Sequence, residues 1–402
     1  MVAGLVTGES IVNLDTMFTN NNINVIIDRV ETVNREDKTV SLSDGKKIAY
    51  DKLILSTGSS PFLLPIPGND LKGVFTLRAL VDAEKVRTYI ETKAPKKALF
   101  IGAGFLNLEV ATLLKKSNPD FYEMTVVEVL DHPLGLMLDP EMAGTVQTYL
   151  EEKGLTMRMG EKVIEIFGTD GHVSGVKFES GETVETDMVF MNVGSRPNLE
   201  LATAAGLEMG QFGIKANEFM ETSDPDVFAG GDCIDNFHFI TKESTPIQLR
   251  GPAVIQGRLI AKRLAGFDLP FPGLLGNSAV KLFEKNISAT GFTEEQAKQN
   301  GFTPVCATVD SVSKHSMIPG VLPWTLKLVF DKESQKLLGG QIISDAEGPV
   351  KEIDTINALI LGEKKIADLV MLMCAGNPDC ASEPSKEPIT IAAEQALQKA
   401  RK

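Results

Sequence analysis

The chain has 402 residues, 43% of them hydrophobic, enough to build cores for two or three domains. Its formal net charge of −14 at pH 7 argues against nucleic acid or an anionic membrane as a partner. Four cysteines without a CxxC pair fit a reducing cytoplasm, and four scattered histidines lack metal-ligand spacing, so no metal site is expected. MVAGLVTGES at the N-terminus has no basic segment of a secretory signal, and no apolar run approaches a membrane span.

The first predicted elements lie between Ile23 and Pro61. INVIIDRVETVN (Ile23 to Asn34) is strand-like. VSLSDGKKIAYDKLILSTGSSP (Val40 to Pro61) predicts a strand, a tight glycine turn, a second strand, then a buried strand ending at Gly58.

ALFIGAGFLNLEVATLL (Ala98 to Leu114) predicts a buried strand, a glycine turn and a helix. Gly102 permits the tight turn, and Gly104 lets the backbone approach a pyrophosphate. The amides opening the helix then face that negative charge. Asn107 stands where a third glycine usually allows close helix–strand packing, so a slight helix shift is expected. Glu109, in the first turns of the helix, is either a surface acid or a partner near a nicotinamide. MTVVEVLD (Met124 to Asp131) is the next strand. Glu128 within it would accept from adenosine ribose hydroxyls and repel a 2′-phosphate, favouring NADH over NADPH; a solvated strand end is the plainer alternative.

GEKVIEIFG (Gly160 to Gly168) and VKFESGETVETDMVFMNVGSRP (Val176 to Pro197) repeat the first meander. The longer segment aligns with Val40 to Pro61 without a gap, at one constant offset. Val40/Val176, Gly45/Gly181, Asp51/Asp187, Gly58/Gly194, Ser59/Ser195 and Pro61/Pro197 are identical pairs. A three-stranded meander therefore occurs twice. The second copy follows a βαβ unit that carries the glycine loop. The first has no such head, and the offset places the missing one before Met1.

Three later stretches join LILSTGSSP (Leu53 to Pro61) in carrying a family resemblance. They are SDPDVFAGGDCID (Ser223 to Asp235), QLRGPAVIQGRLIAKRLAG (Gln248 to Gly266) and GNSAVKLFEKNISATGFTEEQAKQNGF (Gly276 to Phe302). Over essentially its whole length the chain resembles the FAD-dependent pyridine nucleotide-disulfide oxidoreductases, of the NADH oxidase and coenzyme A-disulfide reductase type. The resemblance implies an α/β two-dinucleotide-binding fold. An FAD domain in two pieces (1–92 and 206–269) would enclose a Rossmann-like NAD domain (93–205) and precede an α+β dimerisation domain (270–402), hence a homodimer. It also implies that Thr57, Gly58, Gly231 and Asp232 hold FAD, the carboxylate accepting from a ribityl hydroxyl. Leu249, Arg250 and Gly251 would open a helix, beginning near Pro252, whose positive end faces the flavin's pyrimidine edge. Arg250 replaces a usually small residue and either adds charge there or faces solvent. Gly194 would approach NADH.

The chain also departs from this pattern. The FAD pyrophosphate loop and the redox cysteine of such enzymes belong to the missing head, so Met1 is expected to be a misplaced start or the chain a natural remnant. SKHSMIPGVLPW (Ser313 to Trp324) has no tyrosine where coenzyme A-disulfide reductases carry them, and its His315 is expected to be structural or solvated. MCAGNPDCASEP (Met373 to Pro384) places Asn377 and Pro378 where disulfide reductases carry a catalytic histidine, and Asn is no acid–base group. Cys374 and Cys380 are either a redox centre or small buried thiols. The resulting expectation is a cytoplasmic FAD-dependent oxidoreductase. It takes hydride from NADH and passes electrons to oxygen, a disulfide or a small redox protein, with Glu109 and Cys380 as catalytic candidates. The alternative is a catalytically inactive, NAD-binding, dimerising fragment.

Overall fold

The computed structural model describes residues 1–118 and 123–401. A short helix α1 (Thr16–Thr19) precedes β1 (Val30–Asn34), β2 (Thr39–Leu42), β3 (Lys47–Ala49), β4 (Leu53–Leu55) and β5 (Ser59–Pro61). Then come β6 (Val74–Phe75), α2 (Leu80–Lys93), β7 (Lys97–Ile101), α3 (Phe105–Ser117), β8 (Glu123–Glu128), α4 (Pro140–Glu152) and β9 (Thr156–Met159). The second meander, β10 (Val163–Thr169), β11 (His172–Phe178) and β12 (Thr183–Glu185), runs into β13 (Met188–Met191) and β14 (Ser195–Pro197). Next are α5 (Glu200–Ala204), β15 (Val227–Ala229), β16 (Asn236–Phe237), β17 (Ser244–Thr245) and α6 (Arg250–Leu264). The C-terminal part holds β18 (Ser278–Leu282), β19 (Lys285–Gly291), α7 (Glu294–Gln299), β20 (Pro304–Val312), β21 (Pro323–Asp331), β22 (Leu337–Ser344), α8 (Glu352–Leu361), α9 (Ile366–Val370) and α10 (Pro388–Ala400).

These elements form two compact units: Met1–Leu5 with Leu63–Val193 and Leu275–Lys402, and Val6–Phe62 with Gly194–Leu274. The first is built on a parallel sheet of order β6-β13-β7-β8-β9. Its central strands β7 and β13 are near-continuous apolar runs, as burial on both faces requires. Phe100 of β7 stacks on Phe190 of β13 with centroids 4.8 Å apart. α3 turns Leu108, Ala111 and Leu114 onto the sheet, and α4 turns Met142, Val146 and Leu150. That spacing is one face of a helix, and each large side chain so buried contributes roughly 1.5–3 kcal/mol.

The C-terminal sheet of the same unit is antiparallel, in the order β18-β19-β22-β21-β20. Strand alternation splits β22 between two neighbours. Gly340 faces α8, where a Cβ would meet Ile356 at 2.9 Å, while Ile343 joins the core of the parallel sheet with Val280, Leu282, Ile287 and Ala289. One continuous apolar cluster therefore runs from β7, β8 and β13 into β18, β19 and β22.

Polar groups close the same seam. Lys327 of β21 and Asp139, the residue before α4, are each 2% exposed and lie 2.8 Å apart. Glu141 and Glu294 also reach Lys327 Nζ, Glu294 at 3.2 Å. Asp139 accepts from Gln341 Nε2 at 2.5 Å and from the amides of Glu294 and Glu295. It thus caps α7 while preceding α4. Burial opposes the Lys327 charge, but the bonds to Asp139 and Glu141 outweigh it and hold the ammonium well above its usual pKa. Lys298, with Lys327 and against burial, holds Glu294 down to about 2.

The sequence repeat is visible in both units. β1-β2-β3 and β10-β11-β12 are separate antiparallel meanders, and their turn glycines Gly45 and Gly181 have φ +84° and +90°. The predicted first strand is shorter than the run that suggested it. It starts at Val30, and Ile23 to Ile27 are not strand, with Ile27 97% exposed. The reason is the partner's length: β2 ends at Leu42, opposite Val30, so the ladder stops there.

In the second unit β4 pairs in parallel with β15, and Cys233, Phe228, Leu55 and Ile260 share its core. His238 is buried here, its Nδ1 accepting from the Ile240 amide at 3.3 Å. Burial, with Lys242 nearby, drops its pKa from 6.5 to about 4. The unfolded histidine takes up a proton below pH 6.5 and the folded one does not. Stability is therefore full above 6.5 and is lost as pH falls towards 4, by about 3 kcal/mol. Urea midpoints at pH 7 and 4.5 should show this loss, and His238→Gln should flatten it.

Candidate functional site

In the first unit the candidate residues gather at the C-terminal ends of β7, β8 and β13. The chain goes from β7 through α3 to β8 on one side, and β13 lies on the other side of β7. This is the switch point at which open α/β sheets bind ligands. Gly102 leaves β7 at φ +95°, a backbone that favours glycine, and its amide donates to Val127 O at 2.8 Å. Gly104 is the residue before α3, whose first bond runs from the Leu108 amide to Gly104 O. Among the described residues nothing lies within 4 Å of a Cβ placed on Gly104. The helix's positive end therefore opens on unfilled space.

Glu128 ends β8 beside this turn. Its Oε2 accepts from the Ala103 amide at 2.8 Å, and its Oε1 from the amides of Val129 and Leu130 at 2.7 and 3.1 Å. Three backbone donors fix the carboxylate against the glycine turn, so it is not a loose strand end. Glu109 is half-buried on α3, and burial pushes its carboxyl above the usual range. Asn107 is 1% exposed, and its side-chain amide donates to Ile101 O and Gly102 O at 2.7 and 2.8 Å. Hydrogen bonds thus occupy the space that a glycine would leave for close packing.

In the second unit the structure brings Thr57, Gly58, Gly231, Asp232, Leu249 and Gly251 onto one group of loops. β5 pairs antiparallel with β14, Ser59 opposite Pro197 and Ser60 opposite Arg196. Repeat mates therefore pair with each other around a local two-fold axis. Thr57 Oγ1 donates to Asn198 O at 2.7 Å, and the Asn198 side chain returns a bond to Thr57 O at 2.9 Å. Gly58 and Gly194 have φ +66° and +115°.

After β15 the chain turns through Gly230 and Gly231, the latter at φ +87°. Gln256 of α6, 1% exposed, accepts from the Gly231 amide at 2.8 Å and donates to Asn236 Oδ1 at 2.7 Å. This buried bracket presents Asp232, whose Oδ2 accepts from Ser59 Oγ at 3.0 Å. α6 starts at Arg250, two residues before Pro252, with Leu249 just ahead of it and Arg250 exposed. Among the described residues nothing lies within 4 Å of a Cβ on Gly251, so the start of α6 is open. Ser59, Gln248 and Gln256 lie in stretches the sequence marked but were not themselves singled out for the site, and Asn198 lay outside them. Their partners lie far away in sequence.

Cys374 and Cys380 are exposed, on a segment where the Cys380 amide bonds Asn377 O. Pro378 O there accepts from the His315 amide at 2.9 Å. The other two thiols are enclosed: Cys233 is buried, and burial pushes Cys306 up to about 12.

Residues 8–257 match the pyridine nucleotide-disulphide oxidoreductase family, and residues 278–387 match its dimerisation domain. The chain belongs to this family. The oxidoreductase is 35% identical over 373 residues to an NADH oxidase of Methanocaldococcus jannaschii, covering 92% of this chain and 81% of that one. It is 30% identical over 352 residues to the NAD(P)H sulfur oxidoreductase (CoA-dependent) of Pyrococcus abyssi, covering 87% and 77%. Its fold superposes on an NAD-dependent persulfide reductase from A. fulgidus with a TM-score of 0.92 and 30% identity, covering all of this chain and 75% of that one. The oxidoreductase is thus an NAD(P)H-dependent flavoprotein enzyme of the two-dinucleotide-binding fold. No helix among its described residues is long and apolar enough to cross a membrane.

Proposed function

We propose that the enzyme takes hydride from NADH in preference to NADPH, through FAD, and passes electrons to oxygen, a disulfide or a small redox protein, acting as a homodimer. The observation that carries the nucleotide half is the fixing of Glu128 by the amides of Ala103, Val129 and Leu130. A carboxylate held there offers acceptors to ribose hydroxyls and repels a 2′-phosphate. Gly102, Gly104 and Asn107 would shape the pyrophosphate turn, and Glu109, half-buried, would hold a proton more readily than a surface acid.

FAD fits the second unit on three counts: the left-handed turn at Gly231, the open start of α6 at Gly251, and the acceptor of Asp232 held by Ser59. When bound, the flavin would accept hydride and release electrons one or two at a time. Thr57, Gly58, Leu249, Arg250 and Gly251 would orient it, and the positive end of α6 would favour negative charge on the reduced ring. Gly194 belongs to the same reading as a nucleotide-side turn. None of these steps needs a protein nucleophile, so Cys380 is reserved for the acceptor side. The dimerisation domain supports the homodimer, and the oxidase and sulfur-reductase names of the relatives support the acceptor classes.

An anaerobic visible spectrum of the protein supplied with FAD tests the proposal. Bleaching of the flavin band by NADH is expected, and its absence would refute the proposal. Glu128→Ala should shrink the NADH preference over NADPH by about tenfold, read as the ratio of kcat/KM values, because the repulsion and one set of ribose bonds are lost together.

A further inference from the structure

A chain of side-chain amides, buried Asn107 and half-buried Asn192, stands behind the glycine turn. Asn192 directly follows β13, and its Nδ2 donates to Asn107 Oδ1 at 2.7 Å. Its own Oδ1 accepts from the Leu77 amide at 2.9 Å. Asn107 passes the chain on to Ile101 O and Gly102 O. A Cβ on Gly102 would sit 3.2 Å from Asn192 O and 3.6 Å from Asn107 Nδ2, so the two asparagines box the turn from both sides. β7 and β13 are adjacent strands whose pairing ends at Ile101 and Met191, just before this turn.

We propose that Asn107 and Asn192 are a pair of positioning residues that fix the turn at Gly102 and thereby set the affinity for the nicotinamide dinucleotide. The inference rests on the nucleotide reading of that turn. Asn107 spends both donor hydrogens on carbonyls of the turn, and Asn192 holds its oxygen, so the amide has one satisfied orientation. Gly102 is bonded to β8 through Val127 O, and the next amide, Ala103, holds Glu128. A turn displaced by a few tenths of an ångström would carry both the pyrophosphate amides and the ribose acceptor with it. Glycine at position 107 would fit the backbone, but it would remove the side-chain bonds to both carbonyls and to the Asn192 amide.

The test is equilibrium binding of NADH, followed by its fluorescence, to the protein and its variants before FAD is added, so that no hydride is transferred, together with KM and kcat once FAD is supplied. Asn107→Asp has the same shape but replaces the donor with an acceptor facing two carbonyls. It should weaken NADH binding about tenfold or more and raise KM for NADH, leaving kcat at saturating NADH near wild type. Asn107→Gly should also weaken binding, although it restores the usual family residue. Asn192→Ser, a milder change, should weaken binding less, and Asn107→Gly with Asn192→Ser should bind about as well as Asn107→Gly alone, because the pair acts as one unit. Wild-type affinity in Asn107→Gly or Asn107→Asp, or losses that simply multiply in the double variant, would overturn the inference. Failure of the unaltered protein to bind NADH would instead sink the nucleotide reading beneath it.

Discussion

Asp232→Ala is expected to strip the flavin from the protein. The carboxylate accepts from Ser59 Oγ, and its main-chain oxygen accepts from Gln248 Nε2 at 3.2 Å, so side chain and backbone are both fixed before any ligand arrives. An acceptor held in advance loses little entropy on binding, so its removal costs most of what it contributes. A hydrogen bond to a charged group contributes about 1.5–3 kcal/mol, which is roughly a tenfold to hundredfold loss in FAD affinity. The turn itself should survive, because Gln256 brackets Gly231 from the other side. Absorbance at the flavin band per mole of protein after gel filtration reads the effect. Ser59→Ala should give a smaller loss, and an Asp232→Ala protein with full flavin content would remove this residue from the site.

Lys327→Ala is expected to be the most damaging single change to stability. It leaves Asp139 buried without its cation and brings Glu141 and Glu294 near an uncompensated negative site. Breaking a buried ion pair from one side costs about 3–5 kcal/mol. Urea unfolding followed by circular dichroism should show the fall in midpoint. Lys327→Met combined with Asp139→Asn should recover much of it, since two neutral groups of similar volume bury without an orphaned charge. An unchanged midpoint in Lys327→Ala would mean that water reaches the cluster and screens it.

The parts legible in the sequence were those written in local pattern. Strand, glycine turn and strand recur at fixed spacing in both meanders, and the Gly102 loop announces itself through an apolar strand and an amphipathic helix. The illegible parts depend on residues brought together from afar. Asn107 stood out as a departure, but its partner is 85 residues away and carries no motif. Lys327 sits at an alternating position of TLKLVF, where a lysine reads as solvent-facing. Only the docking of Asp139 and Gln341 from elsewhere makes it a buried cation. The run at Ile23 shows the converse: apolar residues suggest a strand, but a strand exists only as far as a neighbour offers bonds.

The apolar cluster shared by β7, β8, β13 and β18, β19, β22 also decides what kind of part the C-terminal segment is. It is not an interchangeable module. A chain cut near residue 275 would strip Val280, Leu282, Ile287, Ala289 and Ile343 from the cluster they share with α3 and α4, and would leave Asp139 without its lysine. Grafting the segment from a relative would therefore succeed only if the matching faces of α3 and α4 travelled with it. On this view the parallel sheet and the C-terminal sheet stand or unfold as one part of the enzyme, not two.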